Sequence, residues 1–312
     1  LIAVAGAALL AWRLPALARL CGADAGRATW LALAAPLMIV HVVSGAHNDS
    51  VMIGLVVCGL TLAGGPSPPH DRDPALWLRV LAVGAVFGLA LAVKVTAVVV
   101  LPFAALLLVR SRLTGRFRSL GQVLAALAGT GVSAGLVLAA VSWLGGLGWG
   151  WINGLVSSGD SRQWTSLPTG VGFAFDYLFV PSGHTSVPVI RVIGIGVLAV
   201  VLAWLFVRTW SQAPRSDMRR IVAAAGWALA ATVLLAPVFH PWYALWPLTI
   251  LAAAGAGRRL IIGGNIGLTF LVLPDGFNLA RVTKFPGALA MLALTGWLLW
   301  RSVRRSGVSV RR

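Results

Sequence analysis

Charge is what this sequence has least of. Only 11% of its 312 residues are Asp, Glu, Lys or Arg, while 59% are hydrophobic and the mean hydropathy is +0.90. An ordinary soluble domain is about a quarter charged, so a soluble fold is excluded and an all-α polytopic membrane protein is expected. Acids are scarcer still: eight, every one of them Asp, against 25 basic residues and a net charge of +17. Such an excess would suit nucleic acid if it lay on one arm or face. Here the arginines fall between apolar runs, and nucleic acid is set aside as a partner. Cysteine occurs twice, as Cys21 in a basic loop and Cys58 inside an apolar run. Two thiols so differently placed make neither a disulfide framework nor a metal site. No Walker loop, paired Cys/His metal spacing, GxSxG element or ATP-binding signature is present. Energy for any reaction therefore comes from the substrate or a gradient, and an activated membrane lipid would supply it. No signal peptide is recognisable, and the first apolar run starts at Leu1 with no polar flank, as expected for the C-terminal part of a longer chain.

Apolar runs fill the space that charge leaves. They can be placed at Leu1–Trp12, Ala28–Ala46, Ser50–Gly64, Leu76–Val93, Val95–Val109, Leu120–Leu144, Pro188–Val207, Ile221–Val238, Tyr243–Gly257, Leu260–Pro274 and Pro286–Trp300. Read as spans, these predict about eleven transmembrane helices in a single domain over residues 1–312. If each run crosses once, twenty basic residues fall on the side of the C-terminus and five on the other. That bias places the C-terminus in the cytoplasm of a multi-pass plasma-membrane protein. The acids split four and four, and Asp71-Arg72-Asp73 reads as a solvated loop. Residues 145–187 form a long outer loop, too polar to span. Trp149, Trp151 and Trp164, with Trp143 just before, suggest interfacial helices there, the tryptophans serving either as an aromatic belt or as stacking surfaces for a sugar or lipid head.

The orientation gathers His47, Asn48, Asp49, Lys94, His184, His240, Arg281 and Lys284 on the outer face. Asp49, at a turn between two apolar runs, reads either as a helix-capping residue or as a group that takes a proton from a hydroxyl, with His47 and Asn48 supporting it. Lys94 interrupts an apolar stretch, and either snorkels to the interface or meets a lipid phosphate. Arg281 and Lys284 are two further cations on a charge-poor face, for which a phosphate provides a reason. His240-Pro241-Trp242-Tyr243 closes a span at the same level, either as an interfacial anchor or as an imidazole and two rings for a phosphate or sugar. His41, inside a run, reads instead as a helix-to-helix hydrogen-bonder.

Ser44-Gly45-Ala46-His47-Asn48-Asp49-Ser50-Val51-Met52-Ile53-Gly54-Leu55, Lys94-Val95-Thr96 with Pro102-Phe103, and His240-Pro241-Trp242-Tyr243-Ala244-Leu245-Trp246-Pro247 resemble the actinobacterial polyprenol-phosphomannose-dependent α-1,6-mannosyltransferases of the GT-C superfamily. The resemblance runs across essentially the whole sequence. It implies a GT-C fold with its site on the extracytoplasmic face, a lipid-linked mannose donor, a mannan or lipoglycan acceptor, membrane lipid as surroundings, and no cofactor. It also implies that the main general base lies in a first outer loop preceding Leu1, with Asp49 as the acid of the second. The reaction implied is a single displacement with inversion, in lipomannan and lipoarabinomannan synthesis. Rival readings are another GT-C transferase, adding arabinose or mannose in a different linkage, and a transporter of lipid-linked sugars. Almost every charge falls at the end of a run and no internal repeat is evident, which favours a one-sided site over a transport path.

Overall fold

The computed structural model describes residues 1–65, 74–113, 116–180, 186–213, 217–273, 275 and 277–307, so Asp71, Arg72, Asp73 and His184 lie outside the described residues. Uninterrupted apolar sequence without strand alternation folds as helix: α1 (Ile2–Leu20), α2 (Ala25–Leu33), α3 (Pro36–Met38), α4 (Asp49–Gly64), α5 (Pro74–Val93), α6 (Leu101–Val109) and α7 (Arg116–Leu144). Then come α8 (Trp151–Ser158), α9 (Leu167–Phe179), α10 (Ser186–Gln212), α11 (Met218–Leu235), α12 (Leu245–Ala253), α13 (Arg258–Thr269) and α14 (Lys284–Gly307). The all-α expectation holds; an isolated bridge between Val272 and Asn278 is the extended pairing recorded among the described residues.

The expected count of eleven spans does not hold. Among the described residues five helices are long and apolar enough to cross a membrane: Ile2–Leu20, Pro74–Val93, Ser119–Leu144, Ser186–Gln212 and Met218–Leu235. A sixth is reached if Ala25–Leu33 and Pro36–Ser44, bent by 49° at the break before Pro36, act as one. For the short helices length is the reason, while α14, with 24 residues, is long enough but too polar. A helix rises about 1.5 Å per residue, so the 9 residues of α12 reach about 14 Å and the 12 of α13 about 18 Å, short of about 30 Å of hydrocarbon.

Close approach of backbones builds the bundle. A side chain on Gly6 of α1 would meet the backbone of Ser50 and Val51 in α4, and Ser50 Oγ donates to Ala3 O at 2.8 Å. Gly84 and Gly88 of α5 lie equally close to the carbonyls of Thr130 and Ala134 in α7, where Ser133 Oγ donates to Leu81 O at 2.7 Å. Small residues and hydroxyls at contact points are what helix association in a membrane uses.

The helices give the bundle two chemically different ends. At the C-terminal end of α4, Arg79 donates to Leu62 O at 2.8 Å and Gly65 O at 3.1 Å, and Arg110 to Gly64 O at 3.3 Å. Arg219 closes the end of α12 by donating to Ala254 O and Gly255 O, each at 2.9 Å. Guanidinium groups satisfy the free carbonyls of helix ends here. Because Arg79 and Arg110 both reach this end, α5 and the stretch Val95–Val109 form a hairpin whose tip is Lys94, held extended at φ −156°, ψ 122°. That tip meets the N-terminus of α4, about 24 Å away along a 16-residue helix.

The long loop of residues 145–187 contributes α8 and α9. Helix α9 is docked by polar contacts: Ser166 Oγ donates to Ala236 O at 2.6 Å, Thr169 Oγ1 to Pro237 O at 2.7 Å, and Thr165 Oγ1 to Phe239 O. Those carbonyls belong to the stretch that leads into His240. Arg191 of α10 ties the preceding loop down, donating to Gly159 O at 2.8 Å, Ser161 O at 2.6 Å and Thr169 Oγ1 at 2.9 Å.

Candidate active site

Asp49 occupies the centre of the Lys94 end and is 1% exposed. As the first residue of α4 it sits where the helix dipole favours negative charge. Its Oδ1 accepts from Lys94 Nζ at 2.6 Å and Trp246 Nε1 at 2.8 Å, and its Oδ2 faces His41 Nε2 at 3.0 Å. A buried carboxylate given three donors is held as the anion. Asn48, exposed, takes the N-cap position with no side-chain cap bond, so it does not fill the supporting role expected for it.

Three local devices bring these partners together. A proline opens α3, which widens into a π-helical turn over Ile39–Ser44 that turns His41 toward Asp49. Such turns recur at functional sites. The link to α4 is short, with Ala46 in the left-handed region at φ 53°. Pro241 then starts a 3₁₀ turn, Pro241–Ala244, that leads directly into α12, stacks Tyr243 on Trp246 at 4.3 Å and sets Trp242 edge-on to Tyr243.

Aromatic rings wall the charges. The Lys94 ammonium lies 4.3 Å from the Tyr243 ring and 4.8 Å from the Trp246 ring, cation–π contacts on a site that already neutralises its charge. On the other side of Asp49, His41 stacks with His47 at 4.1 Å and with Trp242 at 4.6 Å, and Trp242 stacks with His240 at 4.8 Å and 3°. Donor atoms of His41, His47 and Asp49 lie within 4.8 Å of one another. They do not converge on a shared ion, because the two imidazoles are inclined by only 16° and Asp49 already carries the Lys94 charge.

His240 is fixed from behind. Asn278 Nδ2 donates to Gln163 Oε1 at 3.0 Å and lies 3.3 Å from His240 Nδ1, while Asn278 Oδ1 accepts from Ala280 N at 2.9 Å. That network makes Nδ1 the acceptor and Nε2 the protonated nitrogen. Burial, then the charges of Lys94 and Arg281, push the imidazole down from 6.5 to about 4. The folded chain thus binds less proton at His240 than the unfolded one, and stability falls as pH drops from 6.5 toward about 4. A His240→Gln variant should lose less melting temperature over that interval than the wild type, read by thermal unfolding in detergent at each pH.

The structure therefore brings Asp49, Lys94, His47, His240, Trp242 and Tyr243 together. Arg281 stands at the exposed edge of the group, in the turn Leu279–Arg281 that follows Asn278. Lys284 belongs elsewhere: its ammonium lies over the Phe173 ring at 5.9 Å, with α9 and α14. His41 and Trp246 are added to the group. The sequence offered a signal for Trp246, which follows Trp242 and Tyr243 by four and three residues, the spacing of one helix face. His41 was legible only as a hydrogen-bonder between helices, which it is; its partner is the site's own carboxylate.

A cleft of about 490 Å³ opens beside the Lys94 tip. Leu91, Val95, Leu138, Val141 and Trp151 supply an apolar lining, and Lys94, Tyr243 and Trp246 belong to the same wall. A long apolar group ending in an anion matches that lining.

These features define a helical membrane protein with an ionised, aromatic-walled centre at one end of its bundle. Residues 1–110 match the model of the alpha-(1->6)-mannopyranosyltransferase N-terminal domain and residues 168–301 that of the MptB C-terminal domain, and the chain belongs to this family. It is 31% identical to Alpha-(1->6)-mannopyranosyltransferase A of Mycobacterium tuberculosis over 97% of this chain and 57% of that protein. With Alpha-(1->6)-mannopyranosyltransferase B of Corynebacterium glutamicum the identity is 30%, over 96% of this chain and 51% of the relative. The chain spans about half the length of the curated relatives it matches. No solved structure matches it.

Proposed function

We propose that this chain carries the reaction centre of a mannosyltransferase that moves mannose from a polyprenyl-phosphate donor to a mannan acceptor, with inversion, forming an α-1,6 linkage. The relatives' names support the sugar and the linkage. One observation carries the donor class: an apolar cleft with an ammonium in its wall and aromatic rings around that ammonium. A polyprenyl tail suits the lining, its phosphate suits Lys94, and the Trp242 face suits a sugar. Lys94 spends one of its three N–H groups on Asp49, leaving two for phosphate oxygens. In the transition state that cation offsets charge on the departing phosphate, an effect worth roughly 3 kcal/mol per well-placed donor. Asp49 keeps Lys94 and His41 in place.

The two ends of the bundle support an extracytoplasmic site. Arg79, Arg110 and Arg219 crowd the end opposite Asp49, which is where cytoplasmic loops concentrate their arginines. This reasoning depends on which helix ends are neighbours and not on the number of crossings. The GT-C fold, lipomannan and lipoarabinomannan synthesis, and the plasma membrane as location belong to the same proposal.

The test is transfer of labelled mannose from polyprenyl-phosphomannose to a short α-1,6-mannoside, in membranes from cells that express the gene and from cells that lack it. Expression-dependent transfer in an α-1,6 linkage supports the reading. Its absence, with the protein inserted, overturns it. Filling the cleft with Leu138→Trp should raise KM for a long-chain donor about tenfold and leave a short-chain donor nearly unaffected, because only the long chain needs the outer lining.

A further inference from the structure

We propose that Asn278, braced by Gln163, is a positioning residue of the transfer: it holds His240 as the tautomer whose Nε2–H hydrogen-bonds the phosphate of the lipid-linked donor, completing a grip shared with Lys94 and Arg281. The inference rests on the transferase reading above and names what receives the phosphate besides Lys94.

The hydrogen-bond directions start from a group that has no choice. A backbone N–H can only donate, so Ala280 N at 2.9 Å fixes Asn278 Oδ1 as the oxygen and turns the amide nitrogen the other way. Both hydrogens of that nitrogen have takers, Gln163 Oε1 at 3.0 Å and His240 Nδ1 at 3.3 Å. Asn278 is 4% exposed and Gln163 2%, so little water competes for these bonds. Nδ1 therefore accepts, and Nε2 carries the hydrogen. That nitrogen has no hydrogen-bond partner among the described residues and is not enclosed, so its N–H is open to a ligand.

The surroundings call for an anion. His240 stands edge-on to the Tyr243 ring at 5.1 Å, and the Lys94 ammonium lies 4.3 Å from the same ring. Arg281 ends the turn Leu279–Arg281 that the Asn278 side chain caps, and makes no ion pair among the described residues. One residue thus sets both the His240 ring and the turn that carries Arg281. The charged and titratable groups facing His240 are Lys94 from the hairpin tip, Arg281 from this turn, Asp49 from α4, His41 from the π-turn and Tyr243 from its own turn. Burial and the two cations outweigh Asp49 and keep the ring neutral. A neutral ring has a single N–H, and the nitrogen that carries it decides whether a phosphate oxygen meets a donor or a lone pair.

Asn278→Asp tests this, because its carboxylate keeps the bond from Ala280 N but offers Nδ1 an acceptor in place of a donor. At about pH 8 the ring must move its hydrogen to Nδ1 and turn a lone pair to the phosphate. One proton added between carboxylate and ring, on whichever it rests, restores Nε2–H. In membranes expressing the gene, Asn278→Asp is expected to transfer mannose about 10- to 10²-fold more slowly than wild type at about pH 8, and within about threefold of it at about pH 5.5. Asn278→Ala, which imposes neither tautomer, should lose the same fraction at both. Inhibition by polyprenyl phosphate, which has no sugar, reads the contact itself: its Ki should rise about tenfold in Asn278→Asp at about pH 8. A deficit of Asn278→Asp that is equal at the two pH values, or an unchanged Ki, overturns the proposal. If the Asn278 variants fail to insert, His240→Gln and His240→Asn decide, since the glutamine amide reaches the Nε2 position and the asparagine amide only that of Nδ1. Transfer kept by His240→Gln and lost by His240→Asn supports a donor at Nε2, and equal transfer overturns it. A wild type that transfers no mannose sinks the transferase reading itself, an outcome distinct from a competent wild type whose variants lack this pattern.

Discussion

Asp49→Asn is expected to lower transfer about 10²- to 10³-fold, because the carboxylate holds Lys94, Trp246 and His41 in place around the site. The substitution barely changes shape, so the cause is hydrogen-bond direction. Oδ1 accepts from two donors, Lys94 Nζ and Trp246 Nε1, and these will claim the amide oxygen. The amide nitrogen then faces His41 Nε2, which in the wild type is itself a donor 3.0 Å away. Two donors cannot share that bond. His41 must shift its hydrogen to Nδ1 or swing away, and Lys94 loses the negative charge that anchors its ammonium. Steady-state transfer in membranes, normalised to inserted protein, reads the effect. Undiminished transfer by Asp49→Asn would show that neither the carboxylate nor the ring it orients takes part.

The same network explains what could be read from sequence and what could not. Apolar runs located the helices closely because burial and helix geometry act within each run. Their number of crossings was not legible, since a run such as Tyr243–Gly257 opens on the end of a 3₁₀ turn and holds only a 9-residue helix. Composition cannot register that break. Asp49 and Lys94 were legible as site residues because a charge in an apolar setting is costly and needs a reason. Their pairing was not, being a contact 45 residues apart made by the tip of a hairpin against a helix N-terminus. His41 lies eight residues before Asp49 but across a break between helices, so helix periodicity does not predict their contact, and a π-turn followed by a left-handed residue brings the two together. Lys284 was grouped with the site by its side of the membrane alone, and the fold carries it to Phe173 instead.

Lys94→Met should both destabilise the chain and stop transfer, and the two effects are separable. Removing the ammonium leaves Asp49 as a buried anion with two neutral donors, and breaking a buried pair from one side costs on the order of 3 kcal/mol. The Lys94 side chain is 25% exposed, so water reaching its place reduces that cost somewhat. Combining Lys94→Met with Asp49→Asn removes the stranded charge, and the double variant should melt above Lys94→Met alone. Activity should behave differently. The phosphate still departs without a cation beside it and Asp49 is gone as well, so the double variant stays at least as far below wild type as either single variant. Melting temperatures and transfer rates of the four proteins measure both couplings. Wild-type transfer per folded molecule by Lys94→Met would assign Lys94 to holding Asp49 in place and nothing more. Transfer lost by Lys94→Met at a temperature where it is fully folded assigns it to the phosphate as well.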